Sequence, residues 1–289
     1  MNKESLLIFQ GFLAECDPQK KEGILNCLSN QFKELIEQIP PLKDPLMEVC
    51  YEDTLDHIHY SWLAPFIRMH TEEEMRLFLS ALTESQAKGL RKTLLLTNNP
   101  YSLTPIAKTF LKNYLLTSFF KGKEVVSAKR LPEDPLNELL SLTAEELYLL
   151  SSFLGLRDLS VEMRLIIDNA KIKQIENVLT KHEALYLKTL MQQKEPIVFK
   201  PIGVAKWDGN ITALKAAILQ RGLNRLSKAL YGHGESLFWY ITHKLDNNMG
   251  KALTSFYTPV ESEKASTLLL NQVLELIPNI KNLTLSSSP

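Results

Sequence analysis

The stretch Leu214–Leu253 reads LKAAILQRGLNRLSKALYGHGESLFWYITHKLDNNMGKAL and decides the fold that we expect for this chain. Its two halves each carry apolar residues at helical spacing, which predicts two amphipathic helices. Between them lies Tyr231-Gly232-His233-Gly234, and glycine best tolerates the left-handed conformation that ends many helices. We therefore expect two helices packed around a tight turn. The apolar positions are Leu214, Ile218, Leu219, Leu223, Leu226 and Leu230, then Leu237, Trp239 or Tyr240, Ile241 and Leu245.

The composition argues against several classes of protein. With 289 residues, 45% of them hydrophobic, the chain is long enough for two or three domains with cores of their own. Lys+Arg and Asp+Glu are equal at 33 each, which argues against a uniformly basic surface for nucleic acid. No apolar run reaches the length of a membrane-spanning helix, and the N-terminal run is flanked by Glu4 and Glu15. We expect no nucleic-acid partner, no membrane span and no signal peptide.

Helix start signals recur along the chain. In a capping box, a Thr hydroxyl accepts a hydrogen bond from the third residue of the helix, whose Glu or Gln side chain reaches back. An Asp-Pro pair likewise suits the first helical turn. We also expect Asp208 to cap the helix that follows it. The predicted boxes are Thr71–Glu74, Thr83–Gln86, Thr143–Glu146, Thr180–Glu183 and Thr258–Glu261, and the Asp-Pro pairs are Asp17-Pro18, Asp44-Pro45 and Asp134-Pro135.

These signals predict an all-α, multi-domain protein of short helices in armadillo-like, superhelical units. His70–Thr83 and Leu142–Gly155 align without gaps, which indicates two related helical units or two similarly capped helices. Ile39–Pro45, Lys121–Pro135 and the Pro- and Gly-containing Lys194–Asn210 read as connections. The expected parts are an N-terminal hairpin (1–43), a middle domain (44–125), a linker (126–134), a helical repeat unit (135–195) and a C-terminal domain (196–289).

No group of residues in the sequence forms a catalytic, cofactor or metal site. His57 and His59 cannot share one helical face, and no second pair of ligands completes a tetrahedral set. For His233 and His243 we expect capping or packing roles. The chain lacks the glycine-rich phosphate-binding motifs. We expect a non-enzyme without cofactors.

The three cysteines, Cys16, Cys27 and Cys50, are expected to be free thiols.

The C-terminal region contains a series of short motifs in a fixed order. They are Val198-Phe199, Trp207-Asp208, Ile218-Leu219, Leu226-Ser227-Lys228-Ala229-Leu230-Tyr231-Gly232, Ile241, Leu245, Ala252-Leu253 and Thr258-Pro259-Val260. Taken together, over roughly Val198–Ile277, they resemble the C-terminal domain of the flagellar motor switch protein.

A second similarity, to the middle domain of the same family, lies at Ile58–Phe66. There the family has a Glu-His-Pro-Gln motif that contacts the next ring protein, and of that motif only His59 remains. The resemblance implies a partner contact around His59 and Trp62.

The chain lacks the charges by which this family meets the stator. The positions that match them are Tyr231, Asn248 and Ser255-Phe256. Because steering between rotor and stator needs charge, the resemblance implies a related scaffold without a torque role. Type III secretion machines share ancestry with flagella and build a platform under a membrane ring.

The resemblance therefore implies a non-catalytic adaptor of a type III secretion basal body, cytoplasmic and peripheral to the inner membrane. Its expected partners are a membrane-ring subunit, a platform or cytoplasmic-ring protein, and copies of itself. His59, Trp62, Tyr231, Asn248 and Phe256 are the candidate contact residues. A flagellar switch protein proper and an unrelated helical-repeat binding module or chaperone remain the alternatives.

Overall fold

The computed structural model describes residues 6, 9–10, 12–13, 16–37, 52–97, 101–120, 125–260 and 262–287. Regular structure in these residues is entirely helical, which confirms the all-α fold class. The chain divides into two compact units. Unit 1 comprises Met1–Asp134 with Gly234–Leu237, and unit 2 comprises Pro135–His233 with Phe238–Pro289. Cys50, Asp44-Pro45 and the boundary at Ile39–Pro45 lie outside the described residues.

Unit 1 is built from short helices. Helix α5 packs against α7, and α4 packs against α6, around buried residues that include Leu63, Phe78, Leu90 and Leu115. The helices are α1 (Pro18–Asn26), α2 (Asn30–Glu37), α3 (Glu52–Asp56), α4 (Tyr60–Ile67), α5 (Glu72–Ala81), α6 (Glu84–Leu94) and α7 (Pro105–Phe120), followed by a 3-10 turn at Ala128–Arg130.

Unit 2 is organised around two 20-residue helices, α8 and α11, which pack extensively against each other. Helices α10 and α14 both pack on α8. The stretches 135–195 and 196–289, expected as separate parts, both contribute helices to this unit. The elements are a 3-10 helix (Pro135–Ser141), α8 (Ala144–Met163), α9 (Asn169–Glu176), α10 (Lys181–Met191), a 3-10 turn (Val204–Lys206), α11 (Ile211–Leu230), α12 (Glu235–Lys244), α13 (Asn247–Ser255) and α14 (Glu263–Ser287).

Four of the five predicted capping boxes form as predicted, at Thr71, Thr83, Thr143 and Thr180. The fifth prediction is wrong. Helix α14 begins at Glu263, so Thr258 lies too early in the chain to cap it. The Thr258 hydroxyl instead accepts from Lys228 Nζ at 2.9 Å.

The two Asp-Pro pairs in the described residues behave differently. Asp17 caps α1, with Pro18 at its start. Pro135 opens a 3-10 helix instead of an α-helix. The cap of α11 is Asn210, whereas Asp208 accepts only from the Asn210 backbone, so the prediction for Asp208 is wrong.

The turn after α11 confirms the prediction from its glycines. Gly232 and Gly234 have φ angles of 88° and 114°, in the left-handed region that favours glycine. Leu230 is fully buried, as predicted. The apolar face after the turn also predicts Trp239 as a core residue. That prediction is wrong, because Trp239 is only half-buried and the neighbouring Tyr240 occupies the core position. The indole of Trp239 stacks on His243 at 4.1 Å between ring centroids.

The connection Lys194–Asn210 contains no regular structure apart from the turn at Val204–Lys206, as predicted. Its backbone is held by Glu162 of α8, whose carboxylate accepts from the amides of Gly203 and Val204 at 2.8 and 3.0 Å. None of the helices in the described residues is long and apolar enough to cross a membrane.

Candidate functional site

Helices α8 and α11 touch at two glycines, where their backbones come into direct contact. A Cβ atom on Gly222 would lie 1.5 Å from the Ser151 carbonyl oxygen, and one on Gly155 would lie 1.9 Å from the Ile218 carbonyl oxygen. Real Cβ atoms do not approach this closely, so only glycine fits at either position. The contact brings the next turns of both helices together, and those turns carry charged side chains.

Arg225 of α11 is completely buried and makes a full set of hydrogen bonds. Its Nε and Nη2 atoms bond the two carboxylate oxygens of Asp158 at 3.2 and 2.6 Å. Its Nη1 bonds Glu195 and Gln272 at 3.2 and 2.9 Å, and Nη2 also bonds the Ile197 carbonyl at 2.8 Å. A guanidinium has about five N–H donors, and these five bonds use them all. Arg225 therefore joins α11 to α8 through its ion pair with Asp158, and all of its N–H donors have acceptors.

Burial raises the pKa of Asp158, and the hydrogen bonds and charge of Arg225 act in the opposite direction. Only 5% of the Asp158 side chain is exposed. A carboxylate so far removed from water is costly to ionise without a charged partner. The ionised form of Asp158 therefore depends on Arg225.

Arg157, the neighbour of Asp158, is also buried but has fewer bonds. Its two Nη atoms each make one long hydrogen bond, to Glu195 at 3.4 Å and to Glu275 at 3.2 Å. The buried Nε atom has no hydrogen-bond partner within the protein. The two arginines therefore differ: Arg225 is saturated, and Arg157 keeps donor capacity.

A small pocket of about 200 Å³ opens beside Arg157. The polar residues that line it are Arg157, Gln193, Lys194, Glu195, Asn271, Gln272 and Glu275. The side chains of Arg157 and Glu195 are 9% and 3% exposed, whereas that of Glu275 is 69% exposed. The pocket therefore has a fixed inner wall and one carboxylate in contact with solvent.

The candidate contact residues from the sequence fall in both units. In unit 1, His59 caps α4 through its Nδ1, which accepts from the Ser61 amide at 3.3 Å. Trp62 lies half-buried in the first turn of the same helix. The local role of His59 is thus a helix cap. No group of three His, Cys, Asp or Glu residues within the described parts of the chain could hold a metal ion.

The other three candidates lie in unit 2. Tyr231 is 39% exposed, and its ring lies 5.0 Å from that of Tyr257. Tyr257 stacks on Phe238 at 3.8 Å. Phe256, half-buried, ends α13, and Asn248 is exposed in the first turn of that helix. We call Tyr231, Phe238, Phe256 and Tyr257 the aromatic surface.

Unit 1 carries a second exposed apolar surface, along α7. Ile106, Phe110 and Tyr114 follow one another at intervals of four residues and are 83%, 68% and 46% exposed. This spacing places them on one face of the helix. We call these three residues the α7 stripe. Isolated apolar side chains are common on surfaces, whereas an aligned set is typical of a contact surface.

Sequence reasoning missed the two glycine contacts and the buried ionic cluster. One signal is present in the chain: α8 and α11 share the pattern Gly-Leu-x-x-Leu-Ser, at Gly155–Ser160 and Gly222–Ser227. In both copies an arginine, Arg157 or Arg225, lies between the two leucines of the pattern. That repeat could have indicated that the two helices touch and bury charges.

Compared with protein-family models, with curated proteins and with solved structures, this chain matches none.

Proposed function

We propose that this protein is a non-catalytic structural adaptor of a type III secretion (flagellar-type) basal body. In this proposal it links a membrane-ring subunit to a cytoplasmic platform protein and lies at the cytoplasmic side of the inner membrane. The support is the resemblance over Val198–Ile277, a stretch that lies within unit 2 apart from Gly234–Leu237. The resemblance to the middle domain around His59 adds to it.

The observation that carries the proposal is the absence of charged side chains at the positions that match the family's stator-facing charges. Tyr231, Asn248 and Ser255-Phe256 occupy the positions where the family carries stator-facing charges. Tyr231 and Asn248 are exposed, and the Tyr231 ring packs on Tyr257. Exposed tyrosines supply large contact area with little loss of side-chain freedom on binding. A surface of this kind suits a static protein contact better than long-range charge steering.

The same proposal includes the finer architecture. We infer that the short capped helices stack in armadillo-like, superhelical units, and that neighbouring copies in an assembly associate through such surfaces. Uncovered apolar faces on stacked helices favour association of this kind.

Affinity purification from the native organism in mild detergent tests the proposal. The wild-type chain is expected to recover membrane-ring and platform components of a secretion apparatus. Tyr231→Arg is expected to weaken the interaction by roughly thirtyfold and so to reduce that recovery, because a hot-spot tyrosine contributes about 2 kcal/mol. The matched control is Tyr148→Arg, since Tyr148 is similarly exposed at 42% in the same unit but lies on α8.

The outcomes separate the alternatives. Recovery of flagellar rotor proteins instead of secretion components favours a flagellar switch protein proper. Recovery of neither set, with a soluble client in their place, removes the adaptor proposal. The α7 stripe specifically favours that last alternative, because helical binding modules dock amphipathic partners on aligned apolar residues.

A further inference from the structure

The pocket beside Arg157 has the properties of a binding site, and neither the resemblance nor the adaptor role assigns it. Two buried arginines stand side by side in unit 2. Arg225 makes five hydrogen bonds, whereas Arg157 makes two and leaves its buried Nε without a partner. A buried N–H without an acceptor costs free energy. Arg157 lines the pocket, and its guanidinium lies 6.0 Å from the ring of Tyr186, a neutral group whose buried hydroxyl also lacks a hydrogen-bond partner. A ligand that displaces Glu275 can supply the charged acceptor that Nε lacks.

We propose that this pocket binds a carboxylate group, which takes the place of Glu275 on Arg157. Guanidinium groups recognise carboxylates through two parallel N–H bonds, and such charge-assisted bonds are typically about 2.7–2.9 Å long. The present bonds of Arg157 are longer, at 3.2 and 3.4 Å. An incoming carboxylate can bond both Nε and Nη2, a pairing that Glu275 does not make.

Glu275 is the side chain that leaves Arg157 when the ligand binds. Its carboxylate is 69% exposed, whereas that of Glu195 is 3% exposed and also bonds Arg225 and Gln272. Glu195 is therefore fixed in the wall. Glu275 can return to water at little cost because it is already largely hydrated and holds Arg157 by one long bond.

The local charges favour an anion in the pocket. Glu195 and Glu275 line it together with Arg157 and Lys194, and the charges of Arg225 and Arg221 act on the buried Asp158. When Glu275 swings into water, these four cations outnumber the carboxylates of Asp158 and Glu195, so an incoming carboxylate enters a site of net positive charge.

The size of the pocket limits the ligand. At about 200 Å³ it is smaller than the pockets of about 300–1,000 Å³ that enclose drug-sized ligands or cofactors. It holds one small acid or one acidic side chain. The carboxylate can thus come from a free monocarboxylic acid or from an Asp or Glu side chain of a bound peptide.

The test uses the full-length chain and two-dimensional NMR of arginine Nε–H groups, with acetate as one probe. The second probe is the blocked peptide acetyl-Gly-Asp-Gly-amide, with its Asn counterpart as the uncharged control. In the wild type, both acidic probes are expected to shift the Arg157 Nε–H signal in a saturable way. The Asn peptide is expected to leave it unchanged. Tighter binding of the peptide than of acetate identifies an acidic side chain as the source, and the reverse identifies a free acid.

Two variants make the test specific. Glu275→Gln removes the competing carboxylate at an exposed position and is expected to tighten acetate binding by roughly tenfold, about 1.4 kcal/mol. Arg157→Lys keeps the charge but not the paired donors and is expected to weaken binding by at least roughly tenfold. Glu263→Gln removes a carboxylate from the exposed start of the same helix and serves as the control for general charge effects.

The proposal is overturned if neither acidic probe shows saturable binding to the wild type or to Glu275→Gln. It is equally overturned if binding occurs but Arg157→Lys and Glu275→Gln leave the affinity unchanged. Thermal unfolding of each variant verifies that the fold is retained, and Glu275→Gln stays informative even if Arg157→Lys unfolds. The outcome is independent of whether the chain belongs to a secretion apparatus.

Discussion

The two units join distant parts of the chain through different groups. In unit 1, α5 and α6 begin at capping boxes, in which Thr71 and Thr83 bond groups only three residues away. The side chain of Gln86, from the second box, also donates to the carbonyls of Leu55 and Ile58 at 2.8 and 2.7 Å. In unit 2, α8 also begins at a capping box. Its position, however, is set by the contact with Gly222 and by the Asp158–Arg225 ion pair, which joins residues 67 positions apart. Local bonds define where a helix starts, whereas distant bonds define what it packs against.

The largest expected effect is at the glycine contact. Gly222→Ala places a methyl group 1.5 Å from the backbone oxygen of Ser151, so α8 and α11 must separate. We expect a loss of more than about 4 kcal/mol in the free energy of unfolding, measured by denaturant titration. The control is Gly23→Ala, which meets nothing within 4 Å on the exposed helix α1 and should be neutral or stabilising by about 0.5–1 kcal/mol. Equal effects of the two substitutions would show that the contact does not hold the helices.

The second comparison sets a buried ion pair against a surface pair. Asp158→Asn removes the charge opposite the fully buried Arg225, and we expect a loss on the order of 3 kcal/mol in the free energy of unfolding. The matched variant is Asp56→Asn in unit 1, where the carboxylate bonds Lys112 Nζ at 3.1 and 3.2 Å near the surface. That change should cost less than about 1 kcal/mol. Comparable losses in the free energy of unfolding would mean that burial does not make the Asp158–Arg225 pair more important for stability than the surface pair.

The third comparison tests local capping. Thr71→Ala removes the hydroxyl that accepts from the Glu74 amide and should cost about 1 kcal/mol. Thr258→Ala is the control, because Thr258 was expected to be a cap, but its exposed hydroxyl instead accepts from Lys228 Nζ and donates to the Phe256 carbonyl at 3.5 Å. It should change the free energy of unfolding by less than about 0.5 kcal/mol. A loss at Thr258 as large as at Thr71 would indicate that Thr258 acts as a cap.

The last expected effect is a pH dependence from Lys244. Its Nζ donates to the Leu140 carbonyl at 2.5 Å, and desolvation lowers its pKa from 10.5 to about 8, with Glu146 opposing the shift. Between these two pH values the unfolded chain holds more protons than the folded one. The contribution of Lys244 to the free energy of unfolding therefore rises as pH rises from about 8 to 10.5.

Chemical unfolding of the wild type and Lys244→Met across this pH range isolates the Lys244 contribution. The wild type should gain stability relative to the variant as the pH increases. Lys251→Met, at an exposed position on α13, should give no such divergence. A constant difference between wild type and Lys244→Met would exclude a lowered pKa.

The sequence predicted what depends on near neighbours. The boxes at Thr71, Thr83, Thr143 and Thr180 and the left-handed turn at Gly232 all follow from residues a few positions apart. The wrong predictions concern features that depend on residues far away in the sequence. A Thr-x-x-Glu pattern at Thr258 looks like a cap, but the start of α14 depends on the packing of the whole helix. Similarly, periodicity cannot choose between Trp239 and Tyr240, because the buried position is set by the partner helices.

The candidate site lay beyond such reasoning for a further reason. Arg157, Asp158, Glu195 and Arg225 come from three distant parts of the chain, and charged residues are normally expected at the surface. Only the close contact of α8 with α11 makes their burial possible. The repeated Gly-Leu-x-x-Leu-Ser pattern indicates that these helices make close contacts, but it does not identify the helix that each one packs against.

The adaptor proposal is tested most directly by photo-crosslinking in living cells, with one probe in each unit. A photoreactive phenylalanine analogue at Tyr231 places the probe on the aromatic surface, and the same analogue at Ile106 places it on the α7 stripe. The account predicts that the Tyr231 probe forms crosslinks to a membrane-ring or platform protein of a secretion apparatus. Crosslinks from Ile106 alone, to a soluble client, with none from Tyr231, would contradict it.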